Sequence, residues 1–345
     1  MFSKSRAIQL FLISLLLLFI CLTTLGILQG PADISLATIT SILKQLFISS
    51  TDATVADWQR SIILDVRLPR IIIALFAGAS LALCGLVMQG MFRNPLASPS
   101  VLGVSSGASL GAVIAIYFGA SLISAWAIPL FAFIGAGISL SIVYRVASSR
   151  GQTSVATLLL SGVAIGALNV AATSLLLALS LSNWDVARSI IYWTMGGLDG
   201  RTWDHVLIIL PIVLSGFILL LFYSRQLDLL LLGEQHALSV GVDVRRTRRH
   251  LLIISTAMVG ASVSVVGGIG FIGLVVPHIM RLLLGPAHRY LLPACLLAGA
   301  ITLLGADLFL NSFFSGQAIP LGVVTAALGA PFFMFLLVKK RFILS

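Results

Sequence analysis

Side chains able to do chemistry are few in this chain, and their spacing excludes most reactions. Histidine occurs at His205, His236, His250, His278 and His288, with no HExxH pair or other metal-ligand spacing. Cys21, Cys84 and Cys295 lie far apart inside apolar runs. They read as small core residues, not as a disulfide framework or a metal site. There is no Gly-Lys dipeptide, and no lysine at all between Lys44 and Lys339, so the chain has no P-loop with which to hydrolyse ATP. Asp307, in LLGADLFL, is the one acid well inside an apolar run. An ion-coupled transporter needs such groups within the bilayer, but a single acid near the end of its run fits a hydrogen bond to a neighbour better. The expectation is therefore no catalytic residue, no metal and no cofactor on this chain.

One stretch does concentrate charge. From Gly233 to His250, GEQHALSVGVDVRRTRRH carries Glu234, Asp243, Arg245, Arg246, Arg248 and Arg249, in a protein with only 9% charged residues. Such a patch is either a solvated loop or a surface that another protein holds.

The elements around it are hydrophobic. With 59% apolar residues and a mean hydropathy of +1.11, the chain has too little polar surface to cover a soluble domain. Apolar runs fall at about 8–28, 68–91, 100–118, 121–144, 153–180, 205–223, 248–267, 271–282, 290–312 and 319–338. Most match the ~20 residues a helix needs to cross a bilayer. The expectation is one polytopic all-α domain spanning 1–345, with about ten transmembrane helices. The eighth run is too short to cross and follows the glycines of VGGIGFIG, so it reads as a half-helix entered through irregular backbone. Gly103, Gly107 and Gly111 recur every four residues in the third run, a spacing for close helix packing that can also line a pathway. The connections at about 30–66 and 182–204 carry Trp and acidic residues and are expected to hold short interfacial helices.

Charge sets the topology. The net charge of +10 does not point to nucleic acid, because in membrane proteins Lys and Arg collect in cytoplasmic loops. With the N-terminus inside, 15 Lys and Arg fall on the cytoplasmic side and 6 (Lys44, Arg60, Arg67, Arg70, Arg188 and Arg201) on the outer side. Both termini and the Gly233–His250 stretch are then cytoplasmic. A pathway without a motor implies a membrane subunit driven by a separate protein.

Several segments resemble one family. RLPRIIIALFAGASLALCGLVMQGMFRNPLASPSVLGVSSGASLG, LLLSGVAIG, YWTMGGLDGRTW, LGEQHALSVGVDVRRTR, GFIGLVVPHIMRLLLGPAHRYLLP and PLGVVTAALGAPFFMFLL are similar, in order, to the FecCD-type permeases of ATP-binding-cassette importers. The resemblance implies a type II importer permease fold in the bacterial inner membrane. It also implies a second permease subunit, either a copy or a paralogue, two cytoplasmic ATPases that use ATP and Mg2+, and an outer binding protein. Iron–siderophore complexes are the first expected cargo, with haem or cobalamin as alternatives; an ion-coupled transporter is the rival from another class. Residues 232–244 correspond to the family's coupling segment, implicating Gly233, Glu234, His236, Ala237, Leu238 and Gly241 in contact with the ATPase. RLPR implies docking of the binding protein at Arg67 and Arg70. The turn after the second span implies a gate at Asn94 and Leu96, opposed by Val155 and Ala156. Two positions depart from the family pattern: Asn311 stands where many relatives have Arg, and Ala318 where they have Glu.

Overall fold

The computed structural model describes residues 2–343 except 31, 33, 46–54, 125, 150–151, 154, 315 and 318; Ala318 thus lies outside the described residues. In chain order the helices begin with α1 (Phe2–Leu28), α2 (Leu36–Gln45) and α3 (Asp57–Ser61), which continues through a π-helical stretch into α4 (Leu68–Phe92). A 3-10 turn at Pro99–Leu102 leads into α5 (Val104–Tyr117), followed by α6 (Ala120–Ile123), α7 (Ala127–Ala147) and α8 (Val155–Leu179). Then come α9 (Trp184–Met195), α10 (Trp203–Phe222), α11 (Ser224–Leu232), α12 (Glu234–Ser239) and α13 (Val244–Val266). The last three are α14 (Ile272–Leu284), α15 (His288–Phe313) and α16 (Leu321–Ile343). A two-residue antiparallel pairing of Ser148–Ser149 with Gln152–Thr153 tightens the α7–α8 connection.

Each of the ten apolar runs contains one of these helices. Among the described residues seven are long and apolar enough to cross a membrane, and α5 and α14 are shorter apolar helices of 14 and 13 residues. The eighth run is a half-helix, as the sequence predicts. Gly267 and the non-glycine Phe271 both adopt left-handed φ, at 72° and 65°, and helix resumes only at Ile272. The third run departs from expectation. It is not a full span, because α5 has 14 residues and reaches only about 21 Å of a ~30 Å hydrocarbon core. Pro99 and the left-handed Gly103 (φ 73°) confine its first residues to the 3-10 turn. The expected short helices in the two long connections are present as α2, α3 and α9.

The bundle is organised around α4. Its most apolar window is 83% buried, against 11% for α1, so α4 is the hub and α1 lies at the periphery. Small residues make the hub possible. A side chain at Gly78 would run into the Gly299 carbonyl of α15, and one at Gly85 into the Gly273 carbonyl of α14. Where lipid tails are as apolar as leucine, such close approach is the main source of helix–helix attraction.

Candidate functional site

At the end of the bundle where α4 begins and α15 finishes, the arginines of RLPR have internal partners. Arg67 is 6% exposed. Its Nη1 donates to the carbonyls of Ile27 (2.8 Å) and Leu28 (3.2 Å), and its Nη2 to that of Ala32 (2.7 Å). It therefore satisfies the free carbonyls where α1 stops. The glycine at Gly30 leaves room for the guanidinium. Arg70 grips Asp307 through Nε (2.9 Å) and Nη2 (2.8 Å), and its Nη1 reaches Asp199 at 2.6 Å. Asn311, one turn along α15, donates to Asp307 at 3.3 Å. Arg70 thus ties α4 to α15 and to the loop after α9 by a two-pronged charge-assisted contact. The expected hydrogen bonding between Asp307 and its neighbours is present, with the carboxylate as acceptor. As docking candidates the two arginines differ: Arg67 is enclosed, and Arg70 reaches the surface beside the 83%-exposed Asp199 carboxylate.

The opposite end carries the charged stretch. Gly233 (φ 121°) separates α11 from α12, and Gly241 (φ 84°) ends the segment that follows α12. Asp243 caps α13 by accepting from the Arg246 amide at 2.9 Å, and Glu234 pairs with Arg248 at 2.8 Å. Glu234, His236 and Ser239 are exposed, as the sequence predicts, and Leu238 is 54% exposed. Ala237 corrects the sequence reading. Expected on the contact face, it is fully buried, and its carbonyl accepts from the Val242 amide at 3.0 Å. In a helix of under two turns, one side must pack on the chain that carries it. Beneath α12, Asp228 of α11 accepts from both the backbone amide (2.9 Å) and Nδ1 (2.7 Å) of fully buried His288 at the start of α15. Partial burial alone would raise the Asp228 pKa, but the His288 bonds outweigh it and hold the carboxyl below its usual range.

The sequence-predicted gate residues lie toward this same end by topology. Asn94 shapes the turn after α4, its Oδ1 accepting from the Leu96 amide at 2.9 Å. Leu96 and Ala156 are exposed, and Val155 is half-buried at the start of α8.

The glycine series divides. Gly107 and Gly111 face α7, where a side chain would meet Gly135 with Ser139, or the backbone of Phe131. Gly103 is not on that face: its left-handed φ ends the 3-10 turn, and it abuts Gly162 of α8. Asn169 of α8 then joins the three helices by donating to Ser106 (3.2 Å) and Ser139 (3.0 Å). Gly103–Gly107 and Gly107–Gly111 also have the Gly-x-Ser-x-Gly spacing of hydrolases. Here it sits on a helix and its lead-in, not on the strand-to-helix elbow that exposes a nucleophile. Among the described residues no three His, Cys, Asp or Glu side chains gather where they could hold a metal.

Residues 15–339 match the FecCD transport family. This chain belongs to that family. The permease is 46% identical over 272 residues to the cobalamin import permease BtuC of Halobacterium salinarum, covering 79% of this chain and 72% of the relative. It is 41% identical over 281 residues to the hemin transport permease HmuU of Yersinia pestis, covering 81% and 83%. A solved structure described as a metal-chelate type ABC transporter in an inward-facing conformation superposes with a TM-score of 0.83 at 32% identity, over 95% of this chain and 99% of that one. The permease therefore has the all-α fold of a type II ABC importer subunit and is a multi-pass membrane transport protein. Sequence reasoning missed the Arg70–Asp199 and Asp228–His288 pairs. The only signal for them was complementary charge near predicted helix ends, which does not say which charges meet.

Proposed function

We propose that this permease forms half of a pathway moving a bulky metal chelate inward across the bacterial inner membrane. A second permease subunit completes the pathway, and separate cytoplasmic ATPases supply the energy. The observation that carries this reading is α12, a six-residue helix presenting Leu238, His236 and Glu234 on a chain without a P-loop. A short helix anchored on one side and exposed on the other can sit in a cleft and pass on a rigid-body movement. The chain itself binds no cofactor; ATP and Mg2+ belong to the partner. Gly233 and Gly241 set the ends of the coupling segment. Asn94 and Leu96, opposed by Val155 and Ala156, form the cytoplasmic gate. Both termini are cytoplasmic.

At the outer end, Arg70 and Asp199 form the receptor-facing patch, with Arg67 supporting it from beneath. Asn311 adds no charge there. For the cargo, the names of the relatives favour a macrocyclic chelate, cobalamin or haem, over the iron–siderophore complexes expected from family frequency. Proteoliposomes holding the permease, its ATPase and a loaded binding protein test the proposal. ATP-dependent accumulation of cobalamin or haem is expected, with none of a ferric siderophore. Siderophore uptake alone would reverse the cargo assignment. Uptake driven by an ion gradient without the ATPase would overturn the mechanism.

A further inference from the structure

Arg201 is the last of the six basic residues that the charge pattern assigns to the outer side. It lies in the loop between α9 and α10, beside a cavity of about 330 Å³ formed by the end of α9, the loop after it and the residues just before α16. Its Nε is buried with no acceptor, and so is the indole N–H of Trp193, which lines the same cavity. Two buried donors facing no acceptor are costly unless something supplies one. Asp199, a carboxylate in the same lining, is held at 2.6 Å by Arg70, which offsets its charge. No ion pair joins it to Arg201 among the described residues. A further cation, Arg188, lies behind the wall, its guanidinium 5.5 Å from the centre of the Tyr192 ring, which is part of the lining. Burial holds the Arg201 pKa below its usual value despite the attraction of Asp199, as expected of a cation whose desolvation is uncompensated.

From this arrangement we infer that the cavity binds an oxyanion, a carboxylate or phosphate, through the guanidinium of Arg201 and the indole N–H of Trp193. The volume lies at the low end of small-molecule sites, so it admits one anionic arm of a chelate, or one acidic side chain, and not a whole macrocycle. Arg presents a planar fork matched to such groups, which Lys does not. Assigning the oxyanion to the cargo or to the binding protein rests on the transport reading above; the binding itself does not.

The test uses the full-length permease in a maltoside detergent, free of lipid phosphate, titrated with citrate and with inorganic phosphate. Intrinsic tryptophan fluorescence reports binding, and Trp193→Phe identifies the responding indole. Saturable binding is expected, weakened about tenfold by Arg201→Gln and less by Arg201→Lys. Equal affinity in wild type and Arg201→Gln would overturn the inference. Should Arg201→Gln fail to fold, phenylglyoxal labelling of the wild type read by peptide mass spectrometry replaces it. Citrate should protect Arg201 and leave Arg188 reactive, and unprotected Arg201 would overturn the inference. Binding-protein-stimulated ATPase then separates the sources, with the Arg201→Lys variant compared with wild type. Loss of stimulation by both empty and loaded binding protein assigns the oxyanion to that protein. Loss only with loaded binding protein assigns it to the cargo.

Discussion

The two ends of the permease use charge in opposite ways. Where α4 begins, Arg67 and Arg70 turn inward and join helices: one closes the end of α1 on three carbonyls, and the other holds Asp307, which is 2% exposed. Where α12 lies, Glu234, Arg245, Arg246 and Arg249 face outward, and on α12 itself burial falls to the small side chain of Ala237. An ion pair removed from water pays for its desolvation only with good geometry and is then damaging to break. An exposed charge costs little and contributes little. The first end is therefore built to keep helices together and the second to be touched.

The most severe break in this contrast is at Arg70. Arg70→Ala leaves the Asp307 carboxylate buried without its cation and should cost about 3–5 kcal/mol, read as a large fall in Tm of the detergent-solubilised permease. Arg70→Met combined with Asp307→Leu should recover most of that loss. A single mutant as stable as wild type would mean that water already solvates Asp307.

At the other end the same kind of insult should spare the fold. Leu238→Glu should leave Tm unchanged and cut ATP-driven uptake by about tenfold, or ~1.4 kcal/mol of coupling. Ala237→Glu, on the buried side of the same helix, should instead lower the yield of folded protein. If the two variants behave alike, α12 has no distinct inner and outer face.

Smaller effects sharpen the picture between the ends. Asn169→Ala removes both bonds to Ser106 and Ser139 and should cost about 0.6 kcal/mol, a typical value for polar contacts between helices in a membrane. The Asp228–His288 link should hold at neutral pH and fade in acid. The Asp228 pKa is lower in the folded state than in the unfolded chain, so its contribution is complete above the unfolded value, near 4, and is lost as pH falls through the folded one. Asp228→Asn should lower Tm at neutral pH, where the contribution is complete, and flatten the acid limb of Tm against pH below about pH 4, so that variant and wild type converge in acid. An identical acid limb in wild type and variant would remove this role.

Much of the fold is legible in the sequence. Apolar length and its interruptions locate all ten core helices, because a bilayer demands about 20 apolar residues per span and tolerates irregular backbone only where protein encloses it. The half-helix after VGGIG could be read this way. The shortness of α5 could not: its lead-in is as apolar as the helix, and only the left-handed Gly103 and the 3-10 turn at Pro99 shorten it.

The sequence by itself determined that this is a membrane-embedded all-α permease without an ATPase motif, carrying an exposed basic stretch between two spans. It also held the family signature from Arg67 onward. Tertiary structure alone decided which charges are used up. Arg67, Arg70 and Arg201 look alike as cations outside the positive-inside pattern. Yet one meets backbone carbonyls, one meets Asp307 from 237 positions along the chain, and one lines a cavity with no ion pair among the described residues. Composition and spacing report local preference and burial period. Which donor meets which acceptor depends on helices brought together by packing, through contacts such as Gly78 against Gly299.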